Sequence, residues 1–373
     1  MVIYGAGNNA GLALEVLESA AINILAVADK KVGKVCKNFE AVDCNMLCKM
    51  NKNVVCIVTP AQDIQEVKEK LKKHFNLVVD MQVIYWMKYF VPADSVVEEC
   101  GACVPFNHYE SPYVQNLDFY QRELERDNAN VLYGIDFNTG YQLSFLNKMK
   151  EYRDDFYSRI EQQDNLRYEP ENGWFNVSDA FLLYSMMRKF KPKKVIEIGS
   201  GYSTCVMLDT NDAYLENPAT ITCIEPYPDR LFQKIKESDR KHIKIYEDFV
   251  QNVPISEFEQ LEAGDILFID SSHIVKPGSD ITLEYFQILP RLQEGVLVHI
   301  HDIFYPFTYP EDWIRQGRAY NEAFIVRALL MNNSEYEILF FNDMITKKYE
   351  EEYKELCRND KAISGGSLWI RKK

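Results

Sequence analysis

Short apolar runs alternate with amphipathic stretches at the start of the chain. The runs Val2–Tyr4, Ile22–Ala28 and Val54–Val58 predict strands. Apolar residues at helical spacing predict helices over Ala10–Ser19 and Ala61–Phe75. Strand, helix and strand in this order predict a small parallel sheet with right-handed crossovers.

The same alternation returns in the second half of the chain and predicts a larger sheet. Its predicted strands are Lys194–Ile198, Thr220–Ile224, Ile243–Tyr246, Ile266–Ile269, Val296–Ile300, Glu337–Phe341 and Ser367–Arg371. A helix is predicted over Ala319–Met331, and another over Leu143–Gln163 in the less regular middle section. We therefore predict an α/β protein with a small N-terminal domain over 1–95, a connector and helical cap over 96–180, and a larger α/β domain over 181–373.

Composition excludes several classes of partner. The 373 residues carry a net charge of −14, with 47% hydrophobic and 26% charged residues. An acidic surface repels nucleic acid and anionic membranes, so neither is expected as a partner. No apolar run approaches the roughly 20 residues that span a bilayer. The sequence leaves assembly into a homo-oligomer open.

Cysteine usage and the first residues predict a cytoplasmic protein. The nine cysteines are scattered, and the N-terminus lacks the pattern of a secretory signal. Cys100-Gly-Ala-Cys103 has the spacing of a zinc half-site or a redox motif. No second pair follows, and Pro105 stands where a redox motif would begin a helix, so we favour two free thiols in a connector.

A turn rich in small residues follows the strand at Lys194–Ile198. Gly199 and Gly201 allow close approach of backbone to a ligand and unusual dihedral angles. The hydroxyl of Ser203 is predicted to cap the next helix. On its own, this turn fits either a methyltransferase cofactor or a dinucleotide, although the third Gly of a dinucleotide motif is absent.

Polar residues follow the other predicted strands, where open α/β sheets bind ligands. Glu225 is placed to accept hydrogen bonds from both ribose hydroxyls of an adenosine group. Glu247, or its neighbour Asp248, is a candidate for the adenine amino group. The fourth and fifth strands lead into two polar clusters, which contain Asp270, His273, His299, His301 and Asp302.

These motifs together resemble the class I methyltransferase superfamily, whose first motif is an acidic residue followed by Gly-x-Gly-x-Gly. The resemblance implies a seven-stranded Rossmann-like sheet and S-adenosylmethionine as cofactor, with Glu197 orienting the methionine end. The cofactor-binding residues so implied are Glu197, Gly199, Ser200, Gly201, Ser203, Glu225, Glu247 and Asp270. The activity so implied is O-methylation of a small-molecule or glycan hydroxyl, in polysaccharide or secondary-metabolite biosynthesis.

Three roles remain open for the polar clusters. Asp270, His301 and Asp302 could bind a divalent cation such as Mg²⁺, which resembles the sites of catechol- and macrocin-type O-methyltransferases, although hard cations prefer oxygen to imidazole. Alternatively, His273 or His301 is a general base, with Asp302 beside it. In the third interpretation these residues only cap strand ends.

The aromatic segment Ile303–Trp313 follows Asp302 directly. It is either a lid over the acceptor or a loop packed under the following helix. Nearby, Arg315 and Arg318 either bind an anionic acceptor or pair with surface carboxylates.

The N-terminal domain carries its own motif. Gly5 and Gly7 follow a strand, and Asp29 ends the next one, as in a nucleotide-binding fold. The domain resembles the small Rossmann-like domains of bacterial sugar-modifying enzymes, which implies either a bound nucleotide or sugar nucleotide or a degenerate packing unit. Two other functions therefore stay open for the whole chain: a binding scaffold with a degenerate methyltransferase domain, and an NAD-dependent oxidoreductase.

Overall fold

The computed structural model describes the second half of the chain almost completely and the first part in short pieces. The described residues are 2–4, 14, 24–28, 35–36, 39–42, 56–58, 71–73, 75, 78–80, 112, 117–129, 132–162, 166–356 and 364–373. The chain forms two compact units, Met1–Cys103 and Val104–Lys373.

The first unit contains a four-stranded parallel sheet. Its strands, in spatial order, are β2 (Ala26–Ala28), β1 (Val2–Tyr4), β5 (Cys56–Val58) and β6 (Val78–Asp80). A short hairpin pairs β3 (Val35–Cys36) with β4 (Phe39–Glu40). The three predicted strands lie within this sheet or overlap it. Gly5, Gly7 and Asp29 lie outside the described residues, as do Cys100 and Cys103, so the predictions made for them stay predictions.

The second unit is built on a seven-stranded sheet. Its strands in chain order are β7 (Lys194–Ile198), β8 (Thr220–Ile224), β9 (Ile243–Tyr246), β10 (Ile266–Ile269), β11 (Leu297–Ile300), β12 (Tyr336–Phe341) and β13 (Leu368–Lys372). Their spatial order is β12-β13-β11-β10-β7-β8-β9. Strand β13 is antiparallel to both of its neighbours, and the other paired strands are parallel. This arrangement confirms the predicted mixed α/β fold with a seven-stranded Rossmann-like sheet.

Helices flank the sheet and bury its strands. The helices of the second unit are α1 (Leu117–Ala129), α2 (Thr139–Gln162), α3 (Val177–Phe190), α4 (Tyr202–Tyr214), α5 (Asp229–Phe232), α6 (Ile255–Phe258), α7 (Asp280–Leu283), α8 (Glu311–Arg315), α9 (Glu322–Leu330), α10 (Asn342–Lys348) and α11 (Glu350–Lys354). All four residues of β10 and of β11 are buried, as expected for central strands covered on both faces. None of the described helices is long and apolar enough to cross a membrane.

Helix α3 connects the middle section to the sheet. The side chain of Asn176 caps it by accepting from the backbone N–H of Asp179. The buried carboxylate of Asp179 in turn accepts from the backbone N–H groups of Gly366 and Ser367, at 3.2 and 3.1 Å. Because a Cβ on Gly365 would lie 2.2 Å from this carboxylate, only glycine fits there. The start of β13 is thereby fixed beside the ends of the central strands.

A buried ion cluster joins the segment before α3 to α4. The guanidinium of Arg167 donates to Asp209 at 2.8 Å and to Asp239 at 2.7 Å, and it also pairs with the half-exposed Asp212 at 2.8 Å. Arg167 is 4% exposed, so its charge depends on these carboxylates. Removing the arginine would leave two buried aspartates without their main partner.

Candidate functional site

The predicted site residues meet at the carboxyl ends of four neighbouring strands. The small-residue turn follows β7, Glu225 follows β8, Asp270 follows β10, and Asp302 lies two residues after β11. Since these strands are adjacent and parallel, their ends lie at one edge of the sheet. The edge is where open α/β sheets bind ligands.

Gly199 is required by the packing of the sheet itself. Its φ is +83°, and a Cβ there would lie 1.8 Å from the carbonyl oxygen of Asp270. The backbone on both sides is held by hydrogen bonds from Gly199 N to Ile224 O (3.0 Å) and from Asp270 N to Ile198 O (2.9 Å). The first glycine of the turn therefore lets the turn and the end of β10 approach each other.

Gly201 is different, because the protein leaves its side-chain position open. Its backbone is extended, with φ of 179°, and the nearest atom to an added Cβ would be Cδ of Arg230 at 3.8 Å. Among the described residues, no atom lies close enough to require a glycine here. The absence of a side chain leaves a cradle that a ligand can enter.

The helix after the turn is capped differently from the prediction. Thr204 Oγ1, not Ser203, accepts from the backbone N–H of Gly201, at 3.1 Å. Ser203 instead donates its hydroxyl to Glu197 at 2.6 Å, because its side chain points back into the strand. The predicted capping role of Ser203 is therefore wrong.

Glu197, in strand β7, holds the turn through hydrogen bonds to the first residues of α4. It is fully buried, and its two carboxylate oxygens accept from the hydroxyls of Ser203 and Thr204. Burial raises the pKa of Glu197 to about 7, although these hydroxyl donors partly offset the effect. Its contact with a methionine group stays a prediction, and the structure gives it a role in holding the start of α4.

Glu225 lies beside the turn at the end of β8. Its carboxylate accepts from the backbone N–H groups of Ser200 (3.2 Å) and Tyr227 (2.9 Å). Burial raises the pKa of Glu225, and the two backbone donors and Arg230 oppose this shift. A carboxylate held next to the turn in this way is suited to accept from ribose hydroxyls, and that contact stays a prediction.

The two candidates after β9 differ in their contacts. Glu247 is exposed and lines an open surface hollow with Phe232, Arg240, Ile243 and Ile245. Asp248 accepts from the backbone N–H of Phe249 and from the side chain of Asn252, both at 2.7 Å. The half-exposed ring of Phe249 contacts Tyr227 edge-on at 6.1 Å. Asp248 is therefore bonded within its own loop, whereas Glu247 faces the hollow, and contact of either residue with an adenine stays a prediction.

A cluster of acidic and imidazole groups follows β10 and β11. His273 Nε2 lies 3.6 Å from Asp270 Oδ1 and 3.5 Å from Asp302 Oδ2, while its Nδ1 lies 2.8 Å from Glu322 Oε2. His301 Nε2 lies 3.6 Å from Asp302 Oδ1. The predicted Asp270, His273, His301 and Asp302 are thus brought together, and Glu322 joins them.

Mutual charge sets the protonation of this cluster. Burial alone would lower the pKa of His273, but its contacts with Asp270 and Glu322 raise it well above the ordinary value. Burial likewise opposes a rise in the pKa of His301, which the charges of Asp270 and Asp302 nevertheless raise. Burial raises the pKa of Asp302, and that of Asp270 is lowered by the two imidazoles despite its burial. These shifts therefore arise from imidazole and carboxylate groups that face one another across the cluster.

His299 lies in the core and contacts the cluster through its Nε2, which is 3.3 Å from Nδ1 of His301. It is fully buried, and its ring stacks on Phe268 at 3.8 Å and contacts Trp369 at 4.8 Å. Burial lowers its pKa well below the ordinary value, so it is neutral.

The residues assigned to a cation do not form a metal-binding group as placed. In the part of the chain that the structure describes, no three His, Cys, Asp or Glu side chains are arranged to hold a metal ion. The carboxylates of Asp270 and Asp302 face His273 Nε2, and the third assigned ligand, His301, is a nitrogen donor that Mg²⁺ disfavours. The Mg²⁺ site stays a prediction that this arrangement does not support, and we derive no step through it.

The aromatic segment after Asp302 packs into the protein. Tyr305, Phe307 and Tyr309 are each at most 6% exposed. The carbonyl of Tyr309 accepts from Tyr120 Oη at 2.8 Å, and its hydroxyl accepts from the backbone N–H of Ala323 at 3.0 Å. The segment therefore packs against the start of α9, as the packing alternative predicts.

The two arginines near this segment differ. Arg315 pairs with Glu311 at 2.5 Å within α8. Arg318 pairs with no carboxylate of the described residues and lies over the rings of Trp313 (4.2 Å) and Tyr320 (5.8 Å). The ring of Tyr320, which Arg318 contacts, is 5.0 Å from that of His273, so one aromatic ring separates Arg318 from the polar cluster.

Sequence reasoning missed Glu322 and Tyr320, which both contact His273. Both lie at or before the start of α9, in a stretch predicted only as helix. No local spacing connects them to the ends of β10 and β11.

Comparison with known proteins agrees with this architecture. A family model described as a methyltransferase domain matches residues 196–303. This part of the second unit is therefore similar to methyltransferase domains. The chain is also 31% identical over 175 residues to an uncharacterized protein from Archaeoglobus fulgidus, covering 45% of this chain and 78% of that protein, and it belongs to the same family.

Solved structures show lower similarity. The O-methyltransferase TomG from Streptomyces achromogenes, solved with S-adenosylmethionine, is 13% identical, with a TM-score of 0.35 over 61% of this chain and 88% of that one. The apo structure of CmcI is also 13% identical, with a TM-score of 0.35 over 53% of this chain and 72% of that one. These values are too low to bear on function.

Proposed function

We propose that the chain is an S-adenosylmethionine-dependent methyltransferase that methylates a hydroxyl group of a small molecule or glycan. The observation that carries this proposal is the meeting of an open Gly201 cradle, the carboxylate of Glu225 and the His273 cluster at one edge of the sheet. The methyltransferase domain match over residues 196–303 supports it.

The proposal that S-adenosylmethionine binds here depends on free space beside the turn and on a carboxylate that can accept hydrogen bonds from the cofactor. Gly201 leaves room that no protein atom fills, and Glu225 lies within hydrogen-bond distance of the adjacent backbone. S-adenosylmethionine would supply an activated methyl group on a sulfonium. A cationic sulfonium also suits an edge that carries the carboxylates of Asp270 and Asp302.

His273 is the residue that we propose takes the proton of the acceptor hydroxyl. Its Nε2 points towards Asp270 and Asp302, beside the turn. Nε2 would accept the hydroxyl proton as the acceptor oxygen takes the methyl group, with the carbon–sulfur bond of the sulfonium breaking and S-adenosylhomocysteine leaving.

The first experiment tests cofactor binding by isothermal titration with S-adenosylmethionine. We compare the full-length wild type with Gly201→Val, and with Gly140→Val as the matched control, because an added Cβ meets no atom within 4 Å at Gly140. Binding by wild type and control but not by Gly201→Val is expected. Absence of binding by the wild type would contradict the proposal.

The second experiment separates catalysis from a scaffold role. Release of S-adenosylhomocysteine is measured with pooled phenolic, catecholic and glycan hydroxyl acceptors, with and without EDTA. We expect turnover that His273→Gln lowers by roughly 10²-fold or more, and that survives EDTA. Loss with EDTA that Mg²⁺ restores would favour the cation mechanism, and cofactor binding without turnover would favour the scaffold. An NADH fluorescence change that Asp29→Ala abolishes would favour the oxidoreductase.

A further inference from the structure

The start of helix α9 holds His273 from two directions. The helix begins at Glu322, with Asn321 as its N-terminal flanking residue. The loop after β10 contacts this end of the helix, and His273 is the loop residue that bonds to Asn321 and Glu322. Nothing in the spacing of the two segments, which lie 49 residues apart, predicts this contact.

The first set of contacts fixes the backbone of the loop. The N–H groups of Asn321 and Glu322 donate to the carbonyl oxygen of His273 at 3.1 and 3.3 Å. The side-chain oxygen of Asn321 also accepts from Val275 N at 2.6 Å. His273 has φ of +58°, an uncommon conformation for a residue other than glycine. These three bonds hold the residue in that conformation.

The second contact fixes the ring. Glu322 Oε2 lies 2.8 Å from Nδ1, and since a carboxylate only accepts, Nδ1 carries the proton. The other oxygen of Glu322 accepts from the hydroxyl of Tyr285 at 2.7 Å. Glu322 is fully buried, so with both oxygens engaged its carboxylate has a single orientation.

We propose that Glu322 is a positioning residue that holds His273 with Nδ1 protonated, so that Nε2 faces Asp270 and Asp302. This role rests on the proposed function of His273 as the base. A residue that holds the other ring nitrogen typically affects catalysis without touching the substrate. The chemistry at Nε2 therefore depends on the start of α9, which lies far along the chain from His273.

A neighbouring glutamate provides a matched control. Glu284 is also fully buried, but its carboxylate accepts from Ser271 Oγ at 3.2 Å and has no hydrogen bond to His273. Burial and the charge of Glu322 raise its pKa well above the ordinary value. Glu284→Gln therefore changes a buried side chain of the same shape in the neighbouring pocket without removing a hydrogen bond to His273.

The test compares full-length wild type, Glu322→Gln, Tyr285→Phe and Glu284→Gln. We expect Glu322→Gln to lower kcat by roughly 10- to 100-fold and Tyr285→Phe to lower it by roughly two- to tenfold, with both KM values unchanged. Glu284→Gln should keep kcat. If Glu322→Gln does not fold, Tyr285→Phe tests the same role of Glu322, because it removes only the hydroxyl that orients the carboxylate.

A second readout does not need turnover. Nitrogen-15 spectra of histidine-labelled protein, assigned with His273→Gln, report which ring nitrogen carries the proton. We expect a protonated Nδ1 that shifts in Glu322→Gln and Tyr285→Phe and not in Glu284→Gln. An unchanged His273 signal, equal kcat losses in Glu322→Gln and Glu284→Gln, or a loss confined to KM would overturn the inference. If the wild type transfers no methyl group, the proposed function fails and the spectra alone decide the role of Glu322.

Discussion

Substitution of Gly199 by alanine tests whether the turn after β7 is fixed by the fold. The added Cβ would lie 1.8 Å from the carbonyl oxygen of Asp270, whereas real Cβ atoms essentially never come within 3.0 Å of another atom. The ends of β7 and β10 would have to separate. The bond from Asp270 N to Ile198 O, now 2.9 Å, would stretch or break.

The expected loss is large. An alanine at φ of +83° costs about 1–2 kcal/mol, overpacking adds roughly 1–3 kcal/mol, and one lost hydrogen bond contributes about 1 kcal/mol. Together these lower the free energy of unfolding by roughly 3–6 kcal/mol. For a unit of this size the melting temperature should fall by roughly 6–24 °C.

Thermal unfolding of full-length protein by calorimetry measures this loss, and Gly201→Ala is the matched control. At Gly201 the backbone is extended and the nearest side-chain atom lies 3.8 Å from the added Cβ. We expect its melting temperature to fall by less than about 3 °C. The reasoning is refuted if Gly199→Ala melts within about 3 °C of the wild type, or if both variants lose equally.

Three other predictions follow. Arg167→Met should lower the free energy of unfolding by about 3–5 kcal/mol in denaturant titrations, because it leaves buried carboxylates unpaired; a loss below 1 kcal/mol would contradict this. Burial raises the pKa of Glu197 to about 7, so between its ordinary pKa and 7 the folded state binds more protons than the unfolded state, and the stability that Glu197 contributes is lost as the pH rises through that range. This loss is of order 3 kcal/mol in the free energy of unfolding. Glu197→Gln should abolish it when unfolding of both proteins is measured at pH 5 and pH 8. Arg318→Gln should raise KM roughly tenfold for carboxylate-bearing acceptors and leave KM for neutral acceptors unchanged. Arg315→Gln, which removes an arginine that is already paired with Glu311, should change KM for neither class of acceptor. Equal changes of KM in the two variants would count against an anionic acceptor.

The central strands were predictable because each is a short apolar run closed by polar or small residues. Lys194–Ile198 and Ile266–Ile269 have the predicted bounds, since burial on both faces removes any need for alternation. The helix Val177–Phe190 was not predicted as one element, and the expected domain boundary at 180/181 falls inside it. It begins at a cap formed by Asn176 and Asp179, a local signature that the apolar pattern obscured.

The edge that carries the site was also predictable, because strand ends follow from strand bounds. The role of each residue at this edge was harder to predict. Ser203 has the residue type and place of a cap, but a buried carboxylate at Glu197 competes for its hydroxyl and takes it. Propensity describes what a side chain can do, and the neighbour across the turn decides which option is realised.

The chemistry of the cluster depends on segments that return to the edge from far along the chain. Asp302 has φ of +56°, and a Cβ on Gly366 would lie 2.9 Å from its Cα, so this glycine lets β13 pass against it. The backbone N–H of the next residue, Ile303, donates to Gly366 O at 2.9 Å. On the other side, Glu322 holds the ring of His273. The motif after β7 therefore identifies where a cofactor would bind, whereas the two returning segments determine which nitrogen and which carboxylate face the reaction.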